Sequence, residues 1–274
     1  MSLSMLAVYG FTMTICLVGL AISTLEFLAI SRSFAPEGVY SWPILRLRYI
    51  SGPGSLVVRM LRPIEGLTGV RVFLLARLAI ILVLLASEPG SLAFSVLMSF
   101  LVLSNMLFTM RRTIGDDGSD QMNSIILCTV LLCVNPLCDR FILTCGVWFL
   151  AAQAALSYVV AGIAKLVSPL WRSGDAIYLV FNTCTYGNEW IADVLRNRHW
   201  LRLLLCWSVI VVESLFPLAL VLPHPFLWFF LIAAGLFHLG CAIIMGLNSF
   251  FFAFTATYPA VYYVSLQVCS AVWQ

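Results

Sequence analysis

Lysine is almost missing from this chain. Lys165 is the only one among 274 residues, and the other fourteen basic residues are arginines. Charge of either sign is scarce: 10% of residues are charged and 62% are hydrophobic, whereas a soluble domain carries about 25% charged residues. That excludes an ordinary soluble domain, and a net charge of +3 gives nucleic acid nothing to recognise. Metal-thiolate spacing is also missing. There are nine cysteines but no CxxC, and Cys128, Cys133 and Cys138 recur every five residues, which is not ligand spacing. Cys16, Cys128, Cys133, Cys145, Cys206 and Cys241 fall inside apolar runs, where a thiol behaves as a small hydrophobe. GxSxG, HExxH, GxxxxGK and the Rossmann glycine pattern are absent, so the common hydrolase and nucleotide chemistries have no support.

What is present is a series of apolar runs. Eight can be marked, at 6–30, 70–86, 91–110, 124–137, 141–166, 201–222, 225–246 and 248–268. The second and fourth are short for a span of about 20 residues. The first has no basic residue before it and is longer than a signal-peptide core, so it reads as a retained span. The expectation is an all-α, polytopic membrane helix bundle of eight transmembrane helices forming one domain over 1–274, with the lipid bilayer as its partner. Arg32, Arg46, Arg48, Arg59 and Arg62 lie in the first loop, Arg111 and Arg112 in the third, and Arg172, Arg196 and Arg198 in the fifth; the even loops hold only Arg140. The positive-inside rule then places the odd loops in the cytoplasm and both termini outside.

Two loops are more than connectors. The first, 31–69, carries Pro36, Pro43 and Gly52-Pro53-Gly54, then a short stretch with Arg59, and reads as lying along the interface. The fifth carries Trp171, Tyr178, Tyr186, Trp190 and Trp200, a density that fits headgroup depth; two short helices are expected before and after Tyr186-Gly187-Asn188. The acidic Gly115-to-Asp120 turn lacks the glutamate an EF-hand needs and reads as a solvated turn.

Ionisable groups inside apolar spans are costly and default to functional candidates. Here they are Glu26, Arg71, Arg77, Lys165, Glu213 and His238. Tyr158, Gly162 and Lys165 share one helix face, continued by Ala151, Ala154 and Ala155, small residues that let a helix or a flat ligand come close. The plain reading of Lys165 is an anchor that snorkels to the interface. Glu213 sits mid-span before Pro217, a residue that removes the backbone bond to the Glu213 carbonyl. It must be protonated, paired or wet, and its structural partner could be Arg71, Arg77 or His238. His238, flanked by Gly235 and Cys241, fits an interhelical hydrogen bond equally well. His199 and His224 are in or beside loops, so no metal site is expected.

The stretch from Tyr158 through Ala161-Gly162, Lys165 and Trp171 to Gly174 resembles the central signature of the HTTM proteins, the superfamily that includes vitamin K-dependent gamma-carboxylase and bacterial sporulation-delaying toxin maturation proteins. Glu213 before Phe216-Pro217, Phe237-His238, and Gly246-Leu247-Asn248-Ser249-Phe250 extend the likeness over 158–263. The resemblance implies a quinone or hydroquinone cofactor and a lysine base, which by position is Lys165, with Glu213 and His238 completing the catalytic group. Tyr158, Gly162, Trp171, Gly174, Phe237 and Asn248 would line the cofactor site. The chemistry there needs an uncharged amine in a dry pocket. The carboxylase's long soluble C-terminal portion has no counterpart in this sequence, so a protein partner or peptide substrate would have to be supplied separately. The length is closer to the bacterial members, which implies a bacterial inner membrane.

Three functions remain open on this reading. The first is a carboxylase-like oxidoreductase or lyase; the second is a non-catalytic membrane subunit that scaffolds or matures a partner. The third is a transporter, against which stands the lack of inverted repeats.

Overall fold

A computed structural model of the chain describes residues 4–49, 56–112 and 117–272. Gly52-Pro53-Gly54 and the Gly115-Asp116 start of the acidic turn lie outside these residues. Among the described residues all regular structure is helical, as a bilayer demands, because a helix satisfies its backbone polar groups internally. In chain order the helices are α1 (Met5–Ala29), α2 (Trp42–Leu45), α3 (Leu56–Leu61), α4 (Leu67–Leu85), α5 (Leu92–Arg112), α6 (Gly118–Cys133) and α7 (Arg140–Val167). These are followed by α8 (Pro169–Arg172), α9 (Asp175–Phe181), α10 (Glu189–Arg196), α11 (His199–Leu215), α12 (His224–Met245), α13 (Asn248–Thr255) and α14 (Tyr258–Val272).

Six of these are long and apolar enough to cross a bilayer: α1, α4, α5, α7, α11 with its 3-10 extension to Leu220, and α12. They mark an integral membrane protein. Two of the eight apolar runs take another form. The fourth run lies mostly in α6, which is 16 residues long. The eighth is divided between α13 and α14 at Ala256 and Thr257. Here Thr255 and Thr257 turn their hydroxyls back onto the carbonyls of Phe251 (2.5 Å) and Phe254 (2.7 Å), and Pro259 has no N–H to carry the helix across the break.

The chain falls into two compact units, Tyr9–Leu143 and the combination of Met1–Val8 with Thr144–Gln274. In the N-terminal unit, α5 runs on through Arg111 and Arg112, which hydropathy assigns to the third loop. Both are buried. Arg111 is fully enclosed and donates from Nε to Ile64 O (2.8 Å), from Nη1 to Tyr40 O (2.9 Å) and from Nη2 to Glu65 O (3.1 Å). Its guanidinium lies 5.3 Å from the Phe34 ring and 5.1 Å from the Trp42 ring. The rigid fork of arginine suits three fixed carbonyls, and aromatic faces stabilise its charge. Around it, Phe34, Trp42, Leu45, Leu61, Ile64, Val70, Leu74 and Phe108 form a core, so the described parts of the first loop are folded. Asp117 begins α6 with a capping box: its carboxylate accepts from Ser119 N and Asp120 N, and Asp120 answers to the Asp117 N–H.

In the C-terminal unit, Val147, Leu150, Ala151, Ala154, Tyr158 and Gly162 form the buried face of α7. The other face exposes Trp148, Phe149, Leu156, Val160 and Ile163, which suits contact with lipid chains. α9 and α10 stand either side of Tyr186-Gly187-Asn188, and the Asn188 side chain caps α10 through Ile191 N (3.1 Å). α11 changes to a 3-10 turn at Phe216 because Pro217 cannot donate; the Glu213 carbonyl accepts from Phe216 N–H instead. α12 ends at Gly246 with φ 72°, and Leu247 N reaches Cys241 O at 3.2 Å, a Schellman closure that glycine makes without strain.

Candidate functional site

All nine residues singled out by sequence for the site belong to the C-terminal unit. Three contacts along one helix seam organise them. Lys165, in the last turn of α7, donates from Nζ to Glu213 Oε2 on α11 at 2.6 Å. Next along the seam, Gly162 faces Ser214, whose backbone and hydroxyl occupy the space a Cβ would need. Then the Tyr158 ring stacks on Phe216 with centroids 3.9 Å apart. Rising residue numbers on α11 meet falling numbers on α7, so the two helices are antiparallel. The close approach that glycine permits is taken by α11, which draws amine and carboxylate into contact.

The Lys165–Glu213 pair sits at the edge of the enclosed region. The lysine side chain is 19% exposed and the glutamate 6%. Trp171, on α8, places its ring centroid 5.3 Å from Nζ, within cation–π range. Behind α8, Gly174 adopts φ 83°, a left-handed conformation open to glycine at no steric cost. Any Cβ there would crowd Leu203 N and Arg202, so this turn also packs against α11. Arg202 spans from Asp175 (Oδ1 at 3.5 Å) to the face of Tyr178 (5.4 Å). Glu213 is thus matched with Lys165, while Arg71 and Arg77 have other partners, Ser31 Oγ at 3.0 Å and Asn105 Oδ1 at 2.8 Å.

Two helical turns along α7 lies a hydrogen-bonded chain of three side chains. His238 Nε2 is 3.0 Å from Tyr158 Oη, which is 3.1 Å from Tyr258 Oη. Both Tyr158 and His238 are buried. Phe254 stacks on the imidazole at 4.6 Å and 13°, and Phe250 continues the stack. Phe237 touches the same ring tilted, at 5.1 Å. Asn248 opens α13, the helix that carries both stacking phenylalanines. His238 Nδ1 and Ser214 Oγ are buried without a hydrogen-bond partner.

Chemically, the pair offers proton exchange. An amine and a carboxylate in contact can share or pass on a proton. Tyr258 and Phe254 were not among the sequence candidates. Their run holds three tyrosines, Tyr258, Tyr262 and Tyr263, and several phenylalanines, so nothing in the sequence singled these two out. Among the described residues no group of His, Cys, Asp and Glu is arranged to hold a metal ion. No protein-family model matches the chain, and no curated protein or solved structure does either.

Proposed function

We propose that the protein is an HTTM-like integral membrane protein that binds a quinone-class, lipid-soluble aromatic ligand and exchanges a proton with it at the Lys165–Glu213 pair. It would act as, or within, a membrane modifying enzyme. The observation that carries this reading is the 2.6 Å amine–carboxylate contact under the face of Trp171. Those residues fit such a ligand, having an aromatic surface for a flat ring and an amine–carboxylate pair to exchange a proton. When bound, a hydroquinone would supply an acidic hydroxyl to this site. The Lys165–Glu213 pair would take up the proton, and Trp171 would orient the ring. Lys165, the base that the resemblance implies, and Glu213 would together form the proton-exchanging pair. His238 and Tyr158 hold the α7–α12 contact behind it.

In the same reading the chain crosses a bacterial inner membrane eight times, with α6 and the α13–α14 pair completing the count. Odd-numbered loops face the cytoplasm, and both 31–69 and 168–200 lie at headgroup depth. A partner protein or peptide substrate docks from outside the bundle. The test is solvent extraction of the purified protein followed by mass spectrometry. An isoprenoid quinone recovered near one per chain, and lost from Glu213→Gln and Lys165→Met variants that remain folded, supports the reading; intact wild-type protein that yields none defeats it. The enclosure of Tyr158 and His238 favours a second reading, a non-catalytic subunit whose polar seam only binds helices together. Stoichiometric co-purification of a partner with no bound small molecule would select it.

A further inference from the structure

The first turns of α4 carry an open pocket of about 370 Å³, lined by Pro63, Ile64, Thr68, Gly69, Val72 and Phe73. That size falls within the range of small-ligand sites, about 300–1,000 Å³. Its shape depends on one glycine. A Cβ on Gly69 would run into the Pro63 carbonyl, so only glycine lets the 3-10 turn Arg62–Ile64 pack this closely against α4. The aromatic wall is held in place as well: Phe73 stacks on Phe108 with centroids 6.2 Å apart.

Two observations indicate the occupant. First, α4 is a candidate span, and it exposes Val72 and Leu75 by 62% and 56% on its outer side. Apart from the Thr68 hydroxyl the lining side chains are apolar, which favours hydrocarbon over water. Second, cations stand at the mouth. Arg62 immediately precedes Pro63 and is exposed, and α3 exposes Leu56 and Met60 beside Arg59. From Tyr40 to Val72 five arginines stand against a single acid, Glu65. Val72 lies one helical turn beyond Thr68, so an amphiphile whose chain runs along both brings its polar end to the level of the Arg62–Ile64 turn. We propose that the pocket holds one acyl chain of an anionic phospholipid whose phosphate pairs with Arg62, with Arg59 adding to the attraction. The guanidinium fork suits phosphate oxygens. Free phosphate would use the arginines and leave the pocket empty; a lipid without net charge would use the pocket and leave the excess of arginines unmatched. The proposal rests on the placement of 31–69 at headgroup depth and not on proton exchange at Lys165–Glu213.

The experiment is native mass spectrometry of the purified full-length protein, released from detergent micelles that contain phosphatidylglycerol or phosphatidylcholine. Wild-type protein should retain one phosphatidylglycerol per chain, in clear excess over phosphatidylcholine. Arg62→Gln should weaken phosphatidylglycerol binding by roughly fivefold and leave phosphatidylcholine unaffected. Val72→Trp places an indole in the pocket from an exposed position and should weaken phosphatidylglycerol binding by roughly tenfold or more. An unfolding temperature in neutral detergent equal to that of wild type shows that a variant is folded; should Val72→Trp fail this check, Arg62→Gln decides. Glycerol phosphate carries the headgroup's charge without a chain and should not displace the lipid; displacement by it overturns the proposal. Equal retention of the two lipids by wild type overturns it too, as does undiminished phosphatidylglycerol retention in a folded variant, the outcome for lipid held only in the surrounding shell.

Discussion

Removing one partner of the Lys165–Glu213 pair should cost more than removing both. With 19% and 6% of the two side chains exposed, each charge has given up most of its water. Stranding one member of a fully buried pair costs roughly 3–5 kcal/mol. The two ends are unequal. Lys165 is two residues from the end of α7, and its flexible stem can carry the ammonium outward, so Glu213→Gln should cost about 1–2 kcal/mol, below the range for a pair that cannot move. Glu213 is short and lies within the His199–Leu220 span, so Lys165→Met should cost about 3 kcal/mol. In the double variant no charge is stranded, and stability should return to within about 1 kcal/mol of wild type. The coupling is then roughly 3 kcal/mol, far above the ~0.5 kcal/mol expected of independent sites. Reversible unfolding of the four proteins in mixed micelles measures it. If the double variant loses the plain sum of the two single losses, the contact carries no energy and the argument built on it fails.

Gly162→Ala should destabilise by about 1–3 kcal/mol, because its new methyl meets the Ser214 backbone; an unchanged unfolding midpoint would show that α7 and α11 are not in contact there. Tyr158→Phe removes a hydroxyl shared by His238 and Tyr258 and should cost about 2–3 kcal/mol, whereas Tyr258→Phe breaks one of those bonds and should cost about 1 kcal/mol; equal losses would dissolve the chain of three. Cys184 is exposed in the fifth loop, so on the proposed orientation a membrane-impermeant maleimide should reach it in inverted vesicles and not in right-side-out ones. The reverse pattern would invert the topology.

The costliest residues were the most legible. Lys165, Glu213 and His238 stand out because an ionisable group in an apolar run has to be accommodated, and all three make close side-chain contacts in the structure. Their pairing was not legible. Lys165 and Glu213 are 48 residues apart, and nothing in either segment encodes the other's position. Gly162 was readable as a close approach, but whether a helix or a ligand came close was open until Ser214 was found there. Arg111 and Arg112 were counted as loop charges because hydropathy treats charge as surface; carbonyls and rings brought in from residues 34–65 bury the first of them. The break between α13 and α14 went unread because Thr and Pro are ordinary in membrane runs, and only their hydrogen bonds show where the helix stops.

Arg111 also orders the assembly of the chain in time. It follows Tyr40 by 71 residues and Ile64 by 47. During synthesis the segment that contains those carbonyls emerges long before the guanidinium that gathers them. The segment between the first two long apolar helices therefore gains these bonds only after the third has been made. One late side chain then ties together carbonyls of a length of polypeptide that was finished well ahead of it.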